Sequence, residues 1–201
     1  MQLSKYLIGQ NETKQKNGYY LMVSGVVALL DADSTSKIKT IWQEFQDTFG
    51  VHGVSRTPIV HFSFHVAESY DALQTIPTVH AIAKTMPPFK VRTAGLGIFT
   101  GTLPVVHIAV VRNERLGQIQ GQIWHQMTPL SAGIQAYYHP DHWMPHITIA
   151  QGDIPPEKLP ELIAMLQARN FNWEVQISQL GFIADRGNNV HELEAAFDLK
   201  G

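Results

Sequence analysis

The chain has 201 residues, 44% of them hydrophobic and 16% charged, with a formal net charge of -2. That is the composition of a folded globular protein of one domain or two small lobes, not of a disordered chain, and its mild acidity argues against phosphate-driven binding to long nucleic acid, which needs a basic face. Cysteine is absent, which excludes disulfides, thiol catalysis and cysteine-ligated zinc.

Residues 1–17 are polar and read as a loose N-terminal arm. The run from Tyr19 to Leu30 is too short to span a bilayer and reads as a buried strand. The lysines ahead of it give a faint likeness to a signal segment. No clear small-residue cleavage site follows, so the expected location is the cytoplasm, with no membrane contact. Ser34 or Ser36 can cap a helix to about Phe49, with Ile38, Ile41, Trp42, Phe45 and Phe49 on one face, and Gly50 stops it. Residues 58–67, "PIVHFSFHVA", alternate as a strand. Ser69 can cap a helical stretch to about Thr85, which Pro77 is expected to kink or split. Residues 89–99 and 104–111 read as two strands joined by "TGTL". Asn113 can cap a helix carrying Leu116, Ile119, Ile123, Trp124 and Met127. A loop then leads to a strand at His146–Ala150. Pro155 and Pro156 open a helix that Asn170 can end, and residues 172–185 and 191–199 read as a hairpin across "RGNN".

Two of these strands carry the same device. "HFSF" sets His61 and Ser63 on one face and Phe62 and Phe64 on the other; "HITI" does the same with His146 and Thr148 against Ile147 and Ile149. Side chains two residues apart on a strand lie about 6.6 Å apart. With 10 histidines in the chain, one His-x-hydroxyl match means little. Two matches carry more, because each heads a strand, a helix and a pair of strands, about 85 residues apart.

With these motifs the chain resembles the 2H phosphoesterase superfamily, the LigT-like or 2′-5′ RNA ligase group, defined by two apolar-flanked H-x-[ST]-x motifs. The likeness covers most of residues 20–200. It includes the proline before the second histidine and a mid-chain hairpin, "GLGIFTGTLPVVHIAVV". The expected architecture is α+β, with two pseudo-symmetric lobes of mostly antiparallel sheet, helices outside and a cleft between. Residues 18–201 would form that single bilobal domain, and a monomer is the default. Many members carry a basic residue just after the second motif; here Gln151 follows. The resemblance implies metal-independent cleavage of a small phosphodiester. His146 would activate the nucleophile, His61 would protonate the leaving group, and Ser63 and Thr148 would hold phosphoryl oxygens. The implied partners are 2′,3′-cyclic phosphates, 2′-5′ linked oligonucleotides, RNA ends and cyclic phosphates of ADP-ribose, with RNA ligation as the reverse reaction. Histidine suits both proton transfers, its ordinary pKa being about 6.5.

Other groups compete. Simple alternation puts His65 on the His61 face, about 13 Å away along a regular strand, too far for easy sharing of one zinc ion. The loop "HPDHWMPH", 139–146, holds three histidines and an aspartate and is the better metal candidate, but His146 belongs to the strand motif. No metal or other cofactor is expected. Tyr138 and Trp143, with Tyr137, can stack on a base; the competing reading is a hydrophobic lid, with Trp143 nearer the core and Tyr138 nearer the surface. Lys90, Arg92 and Arg112 read as scattered surface charge. The glycine-rich "TAGLGIFTG" lacks the ending of a triphosphate-binding loop. The alternative to an enzyme is a module that binds a nucleotide or RNA end in the same cleft without turning it over.

Overall fold

The computed structural model describes residues 23–185 and 190–201. The arm at 1–17, the start of the first expected strand and the "RGNN" turn lie outside them. In chain order the main elements are β1 (Ser24–Leu30), α1 (Ala32–Phe49), β2 (His61–Tyr70), α2 (Thr75–Thr85), β3 (Phe89–Phe99), β4 (Val105–Val110), α3 (Glu114–Met127), β5 (Ser131–Ile134), β6 (His146–Gln151), α4 (Leu159–Leu166), β7 (Glu174–Asp185) and β8 (His191–Asp198).

The helix ends follow from local chemistry. Asp31, one turn earlier than the serines expected, caps α1 by accepting from the Ser34 N–H at 2.7 Å. Gly50 closes that helix with φ of 69°, a left-handed position that costs glycine little. Asn113 caps α3 as its sequence predicts, accepting from the Leu116 N–H at 2.8 Å. Ser69 caps nothing. It belongs to β2, and Asp71 precedes the helix, accepting from the Leu73 and Gln74 N–H groups. Pro77 therefore falls in the first turn of α2, where no N–H is required of it, and the helix is not split.

Every strand pairing is antiparallel, in the order β5-β2-β1-β7-β3-β4-β6, with β8 also on β7. Strand β3 joins the two halves. Its first residues, Phe89–Arg92, pair with β7, and from Thr93 onward it pairs with β4, with a register break between Thr93 and Leu96. The ends of the sheet come together, so that β2 and β6 touch without pairing. One face buries Phe62, Phe64, Ile147 and Ile149 with Val26, Ile108 and the stripes Ile38–Ile41–Phe45 of α1 and Leu116–Ile119–Ile123–Met127 of α3. Each fully buried side chain of this kind contributes about 1.5–3 kcal/mol. Helix α3 lies on β2, and α1 lies on β6, so each motif strand is backed by a helix from the other half of the sequence. The outcome is the two-lobed α+β architecture with helices outside. Among the described residues no helix is long and apolar enough to cross a membrane.

Candidate active site

Both histidine motifs open their strands, and both rings are fixed the same way. His61 Nδ1 lies 2.7 Å from the Ile59 carbonyl, and His146 Nδ1 lies 2.7 Å from the Met144 carbonyl. A carbonyl only accepts, so each Nδ1 carries a proton and each neutral ring keeps its lone pair on Nε2. The rings are close enough that a proton on His146 opposes one on His61. Burial pushes His61 down to about 4, against the Ile59 carbonyl, which favours the charged ring, and with His146 and His191 opposing protonation. Burial also lowers His146, against the pull of the Met144 carbonyl.

A β-bulge follows each hydroxyl. On β2, Ser63 faces Val27 while His65 faces Val26, which leaves Phe64 as the extra residue. On β6, Thr148 faces His107 while Ala150 faces Val106, and Ile149 is extra. The extra residue reverses the alternation, and this corrects the expected place of His65. It sits on the helix side with Val26, fully buried against Trp124, its Nδ1 2.6 Å from the Tyr70 hydroxyl. It cannot share a ligand with His61. The same reversal brings Gln151 back to the face of His146 and Thr148.

Bulges also free carbonyls, and tryptophans meet them. Trp143 Nε1 donates to the Ser63 carbonyl at 2.9 Å, and Trp42 Nε1 donates to the Thr148 carbonyl at 3.4 Å. Trp143 is 2% exposed and stacks on Phe64 with centroids 5.6 Å apart. It is closed to a base, so its expected stacking role gives way to bracing β2. Tyr138 is half-buried. Burial raises its pKa, with Tyr137 adding to the rise, while the Ser63 side chain beside its hydroxyl lowers it. It therefore meets the site through Ser63. Tyr137 is 42% exposed. Lys90 pairs with Glu174 on the surface, as scattered charge would. His139 and His142 of the loop stand with ring centroids 5.9 Å apart, and His139 also meets the Trp124 ring. Among the described residues no three His, Asp or Glu side chains gather as a metal would need.

His107 belongs to the site and was not singled out by sequence. It faces Thr148 across the ladder and meets the His146 ring edge-on at 5.1 Å. Phe99 stacks on it at 4.1 Å and meets His146 at 4.8 Å. A Cβ at Gly97 would overlap the His107 ring, which is why a glycine stands there. The ring is 3% exposed, and burial, with His146 opposing protonation, lowers it to about 4. The Val105 carbonyl favours its proton, yet Nδ1 makes no aligned hydrogen bond among the described residues. The available signal was a polar residue inside an apolar strand opposite "GLG".

Among curated proteins no relative matches the sequence. Solved structures do. TT0787 of Thermus thermophilus is similar with a TM-score of 0.62 at 17% identity, over 90% of this chain and 99% of that one. E. coli LigT complexed with 3'-AMP has a TM-score of 0.56 at 14% identity, and LigT complexed with NADP+ has 0.53 at 16%, each over 90% of this chain and 98% of LigT. At these identities the likeness is one of fold. The model of the 2'-5' RNA ligase superfamily matches residues 32–189, a span that holds both His-x-hydroxyl strands and the hairpin between them. By that match the chain belongs to the 2'-5' RNA ligase superfamily, the 2H phosphoesterases.

Proposed function

We propose that the protein is a phosphoric diester hydrolase acting on a small nucleotide cyclic phosphate or a short RNA end, by acid–base catalysis between His61 and His146. The observation that carries this reading is the doubled ring setting. Two imidazoles, each turned by the carbonyl two residues back, stand beside a hydroxyl on strands that touch. His146 Nε2 takes the proton from the attacking water as its oxygen bonds to phosphorus. The phosphorus–oxygen ester bond breaks, and His61, protonated at Nε2, gives its proton to the leaving oxygen. Ser63 and Thr148 donate to the non-bridging oxygens as charge gathers there, with Tyr138 orienting the Ser63 hydroxyl. The step needs no metal. Run backwards with an RNA hydroxyl in place of water, the same transfers would form a 2′-5′ bond. LigT, of the same fold, has been solved with 3'-AMP, which supports a nucleotide as the ligand class.

The test is turnover, with EDTA present, of 2′,3′-cyclic nucleotides, a 2′-5′ dinucleotide and ADP-ribose cyclic phosphate by wild type and by the His61→Ala/His146→Ala double variant. Turnover by the wild type alone is expected. Nucleotide binding without turnover at any pH would leave the cleft a binding module.

A further inference from the structure

His191 lies on the same wall as the His61 motif. Register carries that face across the sheet: His61 and Ser63 stand opposite Leu29 and Val27, and Gly25, two residues before Val27, stands opposite Ile183. On β8, Leu193 faces Ile183 and His191 faces Asp185. The chain ahead of β2 reaches the same place, where the Thr57 hydroxyl meets His191 Nδ1 at 3.0 Å. The His191 ring is half-buried, and a charge on it is felt at His61. From the other wall, Gln151 brings only an uncharged carboxamide.

We propose, on the phosphodiesterase reading above, that His191, held by Thr57, is a substrate-contacting residue that donates a hydrogen bond from Nε2 to a phosphoryl oxygen beside His61. When the Thr57 hydroxyl donates to Nδ1, the proton of the neutral ring sits on Nε2. That is the opposite tautomer from His61 and His146, whose Nδ1 protons go to carbonyls. The arrangement divides the labour. Two rings keep a free Nε2 lone pair for proton transfer, and the third presents an N–H to an anion. The ligand class is a phosphate ester, in the diester and in the monoester product.

The experiment is steady-state kinetics on 2′,3′-cyclic AMP with wild type, His191→Ala, His191→Gln and Thr57→Val, alongside calorimetric binding of adenosine 2′-monophosphate. Losing the donor in His191→Ala is expected to raise KM about tenfold, with kcat changed far less. His191→Gln restores an N–H and should recover most of the loss; Thr57→Val should raise KM a few-fold. A tie that merely joins the β2 approach to β8 would instead lower the melting temperature of all three variants and leave KM where it was, and that result would overturn the proposal. If wild type turns over no diester, the phosphodiesterase reading fails by itself. The monophosphate then decides, because about tenfold weaker binding by His191→Ala supports the contact and equal binding removes it.

Discussion

Strands β2 and β6 carry one plan with two sets of details. In both, the leading histidine sets Nδ1 on the carbonyl two residues back, a hydroxyl stands two residues on, and a bulge follows at once. In both, the carbonyl of the hydroxyl residue accepts an indole N–H from the other half of the chain. The details then part. Past the bulge, β2 buries His65 against Tyr70 and Trp124, where β6 has Ala150. Ser63 has Tyr138 beside its hydroxyl, whereas Thr148 faces His107. What is common to the strands sets an imidazole and a hydroxyl at one spacing. What differs belongs to the packing of each lobe, and variants can separate the two.

The largest effects are expected where the strands agree. His61→Ala and His146→Ala should each lower kcat by about 10²–10⁴ while leaving the melting temperature near that of wild type. The double variant should be little worse than either single one, because each proton transfer is useless without the other. Ser63→Ala and Thr148→Ala should each cost about 10². One crippled and one silent histidine would break the equivalence of the strands. The pH profile sharpens it. The mechanism needs one protonated ring, and both are pushed below the usual 6.5 in the free site. As pH rises through those lowered values the acid is lost, so kcat/KM should peak on the acid side of about 6.5. A bound phosphate monoanion favours the charged ring, so the alkaline limb of kcat should lie at higher pH than that of kcat/KM.

The indole braces come next. Trp143→Phe keeps a ring on Phe64 but leaves the Ser63 carbonyl without its donor, at a cost of about 1–3 kcal/mol in a denaturant titration. Trp42→Phe should cost less, since its bond is longer at 3.4 Å and its ring is half-buried. Equal losses would mean that both strands lean on their braces alike.

Alternation and capping residues made most of this fold legible. The paired motifs, the apolar helix faces and the Asn113 cap can all be read letter by letter. The bulges could not be read. One extra residue in a strand leaves the composition unchanged, and Phe64 and Ile149 look like ordinary core positions. A strict period of two therefore sent His65 to the wrong face. The tryptophans were legible as apolar residues but not as donors, because the carbonyls they meet are freed only by the bulges. Strand β5 pairs with β2 through only four residues, "SAGI", a stretch between helix and loop to which the sequence pattern assigns no strand. His107 and His191 join the site only through long-range register, which no local pattern carries.

At neutral pH the smallest effect belongs to the sharpest difference, His65 against Ala150. Burial lowers His65 to about 4 from an ordinary value of 6.5. The folded chain thus keeps the ring neutral at pH values where the unfolded chain takes up a proton. Its contribution is fully present above about 6.5 and is lost as pH falls toward about 4. His61 and His107, also lowered to about 4, act with the same sign, so wild-type stability should fall steeply across that window. His65→Phe keeps an aromatic ring against Trp124 and removes one of these titrations. The Tyr70 hydroxyl loses its contact with the ring but keeps the carbonyl of residue 65, to which it already donates at 3.2 Å, so the loss at pH 7 should be modest. Between about 6.5 and 4 the variant should lose stability more gently than wild type, by about one proton's worth of slope. Denaturant melts at several pH values read this directly. An unchanged slope would mean that His65 takes up its proton as readily in the folded chain as in the unfolded one, and the β2 strand would then differ from β6 in charge at acid pH as well as in shape.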